Sequence, residues 1–185
     1  MKKTVLTFGL ISGAVSSVLM LSTALFLDRI GFDKGVVVGY TGIVLSFLLV
    51  FFGIRSYREN VGDGQITFGR ALSVGLLITL ISCVCYVVTW EIVYFKLMPE
   101  FAEKYTNYMV EQVRASGATQ QVIDAKLQEM RSMKAWYDNP LFNAAVTFLE
   151  PFPIGLIISL ISAAVLRKRK PENREQVVGE LLRSP

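Results

Sequence analysis

The chain has 185 residues, 52% of them hydrophobic and 18% charged, and the apolar residues are gathered into long uninterrupted blocks. That balance and that clustering exclude an ordinary soluble domain and point to an all-α integral membrane fold, with the lipid bilayer as its surroundings. The formal charge of +4 does not indicate nucleic acid, because the basic residues sit where apolar blocks end and no aromatic-basic platform accompanies them.

The first apolar block covers residues 4–27, between Lys2-Lys3 and Asp28-Arg29. At a rise of 1.5 Å per residue its roughly 24 residues suffice to cross a bilayer. A signal peptide is the alternative reading, since Lys2-Lys3 resembles a basic leader and Ser22-Thr23-Ala24 loosely resembles a cleavage site. The apolar run is longer than a usual signal core, which favours a retained anchor. A short turn, 28–34, leads to the second block, 35–54, so the two are expected to form an antiparallel pair. The third block, 71–95, closes with Trp90 and Tyr94, aromatic residues suited to a membrane interface. The fourth, 141–166, ends abruptly in Arg167-Lys168-Arg169-Lys170.

Orientation follows from the basic residues in short flanks. The turn 28–34 is charge-balanced, whereas 55–70 carries Arg55, Arg58 and Arg70 against Glu59 and Asp63. Each basic-rich flank falls on the side that also holds Lys2 and Lys3, which predicts four crossings with both termini cytoplasmic. Residues 171–185 read as a polar cytoplasmic tail. Between the third and fourth spans, residues 96–140 are too long for a structureless loop. Phe101, Tyr105, Tyr108, Met109 and Val113 recur at helical spacing, as do Ile123, Leu127, Met130 and Met133 after the break at Ser116-Gly117. The pattern predicts an amphipathic helical hairpin, folded on itself or lying on the outer membrane surface.

Small residues are spaced for close helix packing in a four-helix bundle: Gly9 with Gly13, Gly35 with Gly39, Ala71 with Gly75, and Gly155 with Ser159. Cys83 and Cys85, two apart on a helix, face different directions and read as small membrane-buried side chains. Thr-Phe-Gly occurs at 7–9 and again at 67–69, too short a match to establish a duplication.

Histidine is absent, which removes the commonest general base and the commonest imidazole metal ligand. No nucleophile-base pair, phosphate-binding loop or metal cluster appears, so neither a catalytic residue nor a cofactor is expected. Two carboxylates do lie within apolar sequence, Glu91 and Glu150, at about 31 Å and about 25 Å along their helices from Arg70 and Arg167. Acidic groups inside a span are costly and are candidates for a ligand, ion or proton site; near an interface, water and headgroups can equally make them structural. Pro151 and Pro153 lack N–H groups and free the carbonyls of Thr147 and Leu149. Either the fourth helix is continuous and bent there, or the span begins at Pro151 with Glu150 at its positive dipole end. The second geometry leaves about 16 apolar residues, short of the usual length, which favours the kink.

The stretch 64–75, Gly-Gln-Ile-Thr-Phe-Gly-Arg-Ala-Leu-Ser-Val-Gly, leads to Tyr86 and Trp90. Asn139-Pro140-Leu-Phe-Asn leads to Glu150, Pro153, Gly155, Ser162 and Arg167. Together these resemble a bacterial membrane family, domain of unknown function 4199. The resemblance implies a small four-span protein of the bacterial inner membrane and brings no reaction, substrate or catalytic residue with it. The leading expectation is a non-enzymatic scaffold, assembly factor or accessory subunit with a membrane-protein partner or a second copy of itself. The alternative is a small oligomeric transporter or channel using Glu91 and Glu150 near an outer vestibule.

Overall fold

The computed structural model describes residues 1–168. Arg169, Lys170 and the expected polar tail, 171–185, lie outside the described residues. The elements in order are α1 (Lys2–Leu25), α2 (Leu27–Ile30), α3 (Phe32–Asn60), α4 (Phe68–Ile92) running into a π-helical turn (Val93–Leu97), α5 (Phe101–Ala115), α6 (Gln120–Tyr137), α7 (Pro140–Leu149) and α8 (Pro151–Leu166). The described residues are helical apart from short connections. Four stretches are long and apolar enough to cross a membrane: α1, α3, α4 with its π-helical turn, and α7 with α8.

Local chemistry sets the boundaries. Gly31 takes φ 77°, the left-handed region that a side chain would strain, and so turns the chain between α2 and α3. α3 continues past its apolar block to Asn60, and there Arg55 and Glu59, one turn apart, pair at 2.9 Å. Thr67 caps α4 by accepting from the Arg70 N–H. Asn139 caps α7 by accepting from the Leu141 N–H at 3.0 Å, with Pro140 in the first turn where its missing N–H costs nothing. Glu150 keeps right-handed helical dihedrals (φ −69°, ψ −61°) between α7 and α8. The chain therefore follows a helical path through the break that Pro151 and Pro153 make in its hydrogen bonding.

α4 is the central helix and packs against α1, α3, α7 and α8, while α3 also packs against α1 and α8. A Cβ added at Gly13 would lie 2.6 Å from Cys85 Cβ, and one at Gly155 would lie 2.4 Å from Thr79 Cγ2. Gly9 and Gly35 are similarly close to Ile81 and Leu27, and Gly75 meets Ile54 and Ser159 at 3.0 Å. Hydroxyls join the backbones that these small residues bring together. Ser12 donates to the Ser46 carbonyl (2.9 Å), Ser82 to the Gly9 carbonyl (3.2 Å), and the Thr79 and Ser159 hydroxyls meet at 3.2 Å. Such bonds satisfy polar groups buried between the helices.

The interior is divided lengthwise. Toward the end that carries Arg58, Arg70 and Arg167, the helices close on a packed core of Phe47, Val50, Ile54, Val74, Ile78 and Leu166. At that end the backbones of Ile66 and Lys168 exchange hydrogen bonds of 3.0 and 2.9 Å, which fixes the α3–α4 connection against the end of α8. Toward the other end the helices diverge around a cavity, beside which α5 and α6 pack on each other.

Candidate functional site

The cavity has a volume of about 370 Å³ and takes side chains from α1, α3, α4, α5, α6 and α7. That is the size of a small-molecule site. Its lining is mainly apolar and aromatic, and Glu150 brings a carboxylate into it. The Tyr86 hydroxyl donates to Glu150 Oε2 at 3.4 Å, a long bond. Tyr40 on α3 and Tyr137 on α6 line the same cavity as Glu150. Burial, and after it the negative charge of Glu150, raises the Tyr137 phenol above its ordinary value, so Tyr137 stays a neutral hydroxyl.

Glu150 stands on the proline break, and this shapes its surroundings. A carboxylate at a helix start usually accepts backbone N–H groups of the first turn. Here Pro153 removes one of those donors, and Glu150, which keeps helical dihedrals, makes no side-chain capping bond to α8. The ion pairs among the described residues also leave Glu150 out. Lys134, the other charged residue of the lining, is held by Asp138 at 2.6 Å.

Glu91 does not share the cavity. Tyr86 and Trp90, one turn apart on α4, face it, and Glu91 follows Trp90 by one residue, roughly 100° around the helix. Its Oε1 is buried without a hydrogen-bond partner. Gly39 lines the cavity, and a Cβ built there meets nothing within 4 Å, so it is a position with room rather than a close contact. Gly35 lines it as well, whereas Gly9, Gly13, Gly75 and Gly155 lie at helix contacts outside it.

One wall is fastened to the rest by polar and aromatic contacts. Phe32, at the start of α3, lies among the rings of Phe101, Tyr105 and Tyr108 on α5, with centroid distances of 5.9, 5.4 and 4.9 Å. Tyr108 donates to Asp33 Oδ1 at 2.5 Å, and Lys104 reaches both oxygens of Asp28 at 3.1 Å. Behind α6, Tyr94 donates to Asp138 Oδ1 at 3.1 Å. Asp28 and Asp33 read in the sequence only as members of a balanced turn, and Tyr40 and Tyr137 carried no signal there. The signal available was the pairing of acids in the 28–34 turn with basic and phenolic residues at helical spacing in α5.

The model of a family described as protein of unknown function (DUF4199) matches residues 7–168. No similar chain was found among curated proteins or among solved structures.

Proposed function

The chain belongs to the DUF4199 family, and we propose that it is a non-enzymatic accessory protein of the bacterial inner membrane that acts by holding a small ligand in its cavity. The observation that carries this reading is the cavity itself: about 370 Å³, aromatic in lining, with one carboxylate that no cation pairs among the described residues. A helical bundle whose only task was adhesion would gain stability by filling that space. The non-enzymatic part rests on the sequence, which has no histidine, and on a lining whose one acid, Glu150, bonds only the Tyr86 hydroxyl and whose one lysine, Lys134, is paired with Asp138.

On this reading the chain crosses the membrane four times with both termini in the cytoplasm. The support is the grouping of Arg58, Arg70, Arg167 and Lys168 at one end, where the Arg58 Nη1 also donates to the Leu166 carbonyl at 3.4 Å. α5 and α6 then form an amphipathic hairpin on the outer face, beside the cavity.

Gly39→Leu tests the proposal, because it fills the cavity where there is room for a side chain. Native mass spectrometry of protein taken from its own membrane is expected to find a bound small molecule on the wild type and none on Gly39→Leu. Identical spectra from two folded proteins would overturn the reading. Transport is a second reading, favoured by the exposed contacts that fasten α5, Lys104 to Asp28 and Tyr108 to Asp33, which could open without disturbing the core. It requires Glu150-dependent flux in proteoliposomes, and equal flux with Glu150→Gln would exclude Glu150 from a pathway.

A further inference from the structure

The chemistry of the cavity restricts what it can hold. Two charged side chains reach it, Lys134 and Glu150. The Lys134 ammonium already has the Asp138 carboxylate at 2.6 Å, so its charge is met. The charge of Glu150 is not. Tyr86 offers it one long bond to Oε2, and Oε1 accepts no hydrogen bond among the described residues. The first turn of α8 provides no capping bond either, since Glu150 itself keeps helical dihedrals and its side chain makes no bond to that turn. Glu150 is exposed at the cavity wall, and its carboxylate offers an opposite charge to a cation that enters.

The rings around it favour one sign of partner. Tyr40, Tyr86, Trp90, Tyr94 and Tyr105 all line the cavity, and the faces of such rings attract cations. An anion would meet the Glu150 charge. A bare metal ion would need several oxygen, nitrogen or sulfur ligands, and no group of three acidic, cysteine or histidine side chains is gathered anywhere among the described residues. The mainly apolar lining and the volume call for a molecule with hydrocarbon of its own. We propose that the cavity takes a lipophilic organic cation, an ammonium or guanidinium bearing aliphatic or aromatic groups, with its charge against Glu150 and its apolar part among the tyrosines and Trp90. This rests on the reading of the cavity as a binding site.

Two features make the test direct. The sequence has two tryptophans; Trp90 lines the cavity, while Trp136 is 63% exposed on α6 and outside it. Trp136→Phe therefore leaves Trp90 as the single fluorescent reporter. In lipid nanodiscs this variant is titrated with phenyltrimethylammonium and with tert-butylbenzene, which has the same shape and no charge. Saturable change of Trp90 emission by the cation is expected, with the Kd raised about tenfold or more by Glu150→Gln. Glu150→Asp should recover part of the loss, and the neutral probe should bind Glu150→Gln as it binds the parent. Cation binding that is indifferent to Glu150→Gln, while Gly39→Leu abolishes binding of both probes, would overturn the cation assignment and leave the binding site standing. If neither probe gives a saturable change, or if Gly39→Leu has no effect on either, the binding site falls as well. Should Glu150→Gln fail to fold, Glu150→Asp against the parent decides the same question, since moving the charge back by one methylene must weaken the cation and spare the neutral probe.

Discussion

Two glycines on neighbouring helices show how much a single Cβ can matter. At Gly155 the added carbon would lie 2.4 Å from Thr79 Cγ2 and 3.1 Å from Phe47 Cζ, between α8 and two helices it packs against. Gly155→Ala must push α8 away from α4, which also separates Ser159 from Thr79. Overpacking of this kind costs about 1–3 kcal/mol, more than the roughly 1 kcal/mol that alanine gains over glycine in a helix. Gly39→Ala meets nothing within 4 Å and should retain that helical gain. Thermal unfolding in one detergent is expected to place Gly155→Ala below the wild type and Gly39→Ala at or above it. The reverse order would mean that α8 and α4 are not in close contact at this level.

At the scale of elements, the contact between α5 and the start of α3 is separate from the packed core. Phe32 within three rings contributes about 2 kcal/mol, so Phe32→Ala should loosen α5 and leave the core helices in place. Faster amide exchange confined to residues 101–115 is the expected result; exchange rising equally in α4 would contradict it. The polar contacts respond to pH at both extremes. The bond to Asp33 raises the Tyr108 phenol above its ordinary 10.0, and the bond to Asp28 raises the Lys104 ammonium above 10.5. Both contributions are complete below those ordinary values and disappear as pH rises through the raised ones. Asp138 behaves oppositely. The bond from Lys134, followed by that from Tyr94, lowers it below 3.8, so its contribution is present above that value and is lost as pH falls through the lowered one. A spin-label distance between Lys34→Cys and Gln112→Cys, with Cys83 and Cys85 replaced, should stay constant from about pH 5 to 9 and broaden above 10.5. Broadening already at neutral pH would show that these contacts do not hold α5.

Most of the elements are legible in the sequence because they are encoded locally, though the short α2 and the π-helical turn are not. Apolar blocks between charges mark the long helices, and the spacing of Phe101, Tyr105 and Tyr108 marks the helix after the third. The cavity is not encoded locally. Tyr40, Tyr86 and Tyr137 come from three helices and Glu150 from the junction of α7 and α8, and no periodicity links them. Axial rise gives Glu91 and Glu150 similar depths but not their rotation, and rotation separates them: one residue beyond Trp90 is enough to turn Glu91 away from the cavity. The proline break could be read in advance, but its effect on Glu150 depends on which side chains surround the carboxylate.

For the molecule as a whole, the two ends differ in both packing and charge, and the two asymmetries coincide. The packed half ends among Arg58, Arg70, Arg167 and Lys168, where the Ile66–Lys168 bridge holds the α3–α4 connection to the end of α8. The half with the cavity ends in a turn where Asp28 and Asp33 offset Arg29 and Lys34, beside α5 and α6. Insertion keeps clustered lysines and arginines in the cytoplasm, and acids in short flanks count for little in that rule. The packed end is therefore expected inside and the cavity end outside. An alkaline phosphatase fusion near Gly117 should be active, and one after Lys170 should be inactive. A cysteine replacing Ser116, at the turn between α5 and α6, should react with an impermeant maleimide on intact spheroplasts, while one replacing Asp63 should react only after lysis. Reversing the charge bias tests the cause rather than the outcome. Replacing Arg55, Arg58 and Arg70 with glutamine while adding three lysines at 116–120 should yield a mixed population, with part of the protein labelled at position 63 from outside. If that variant keeps a single orientation, Arg55, Arg58 and Arg70 do not set the topology, and the inward assignment must rest on Lys2, Lys3 and the basic run from Arg167.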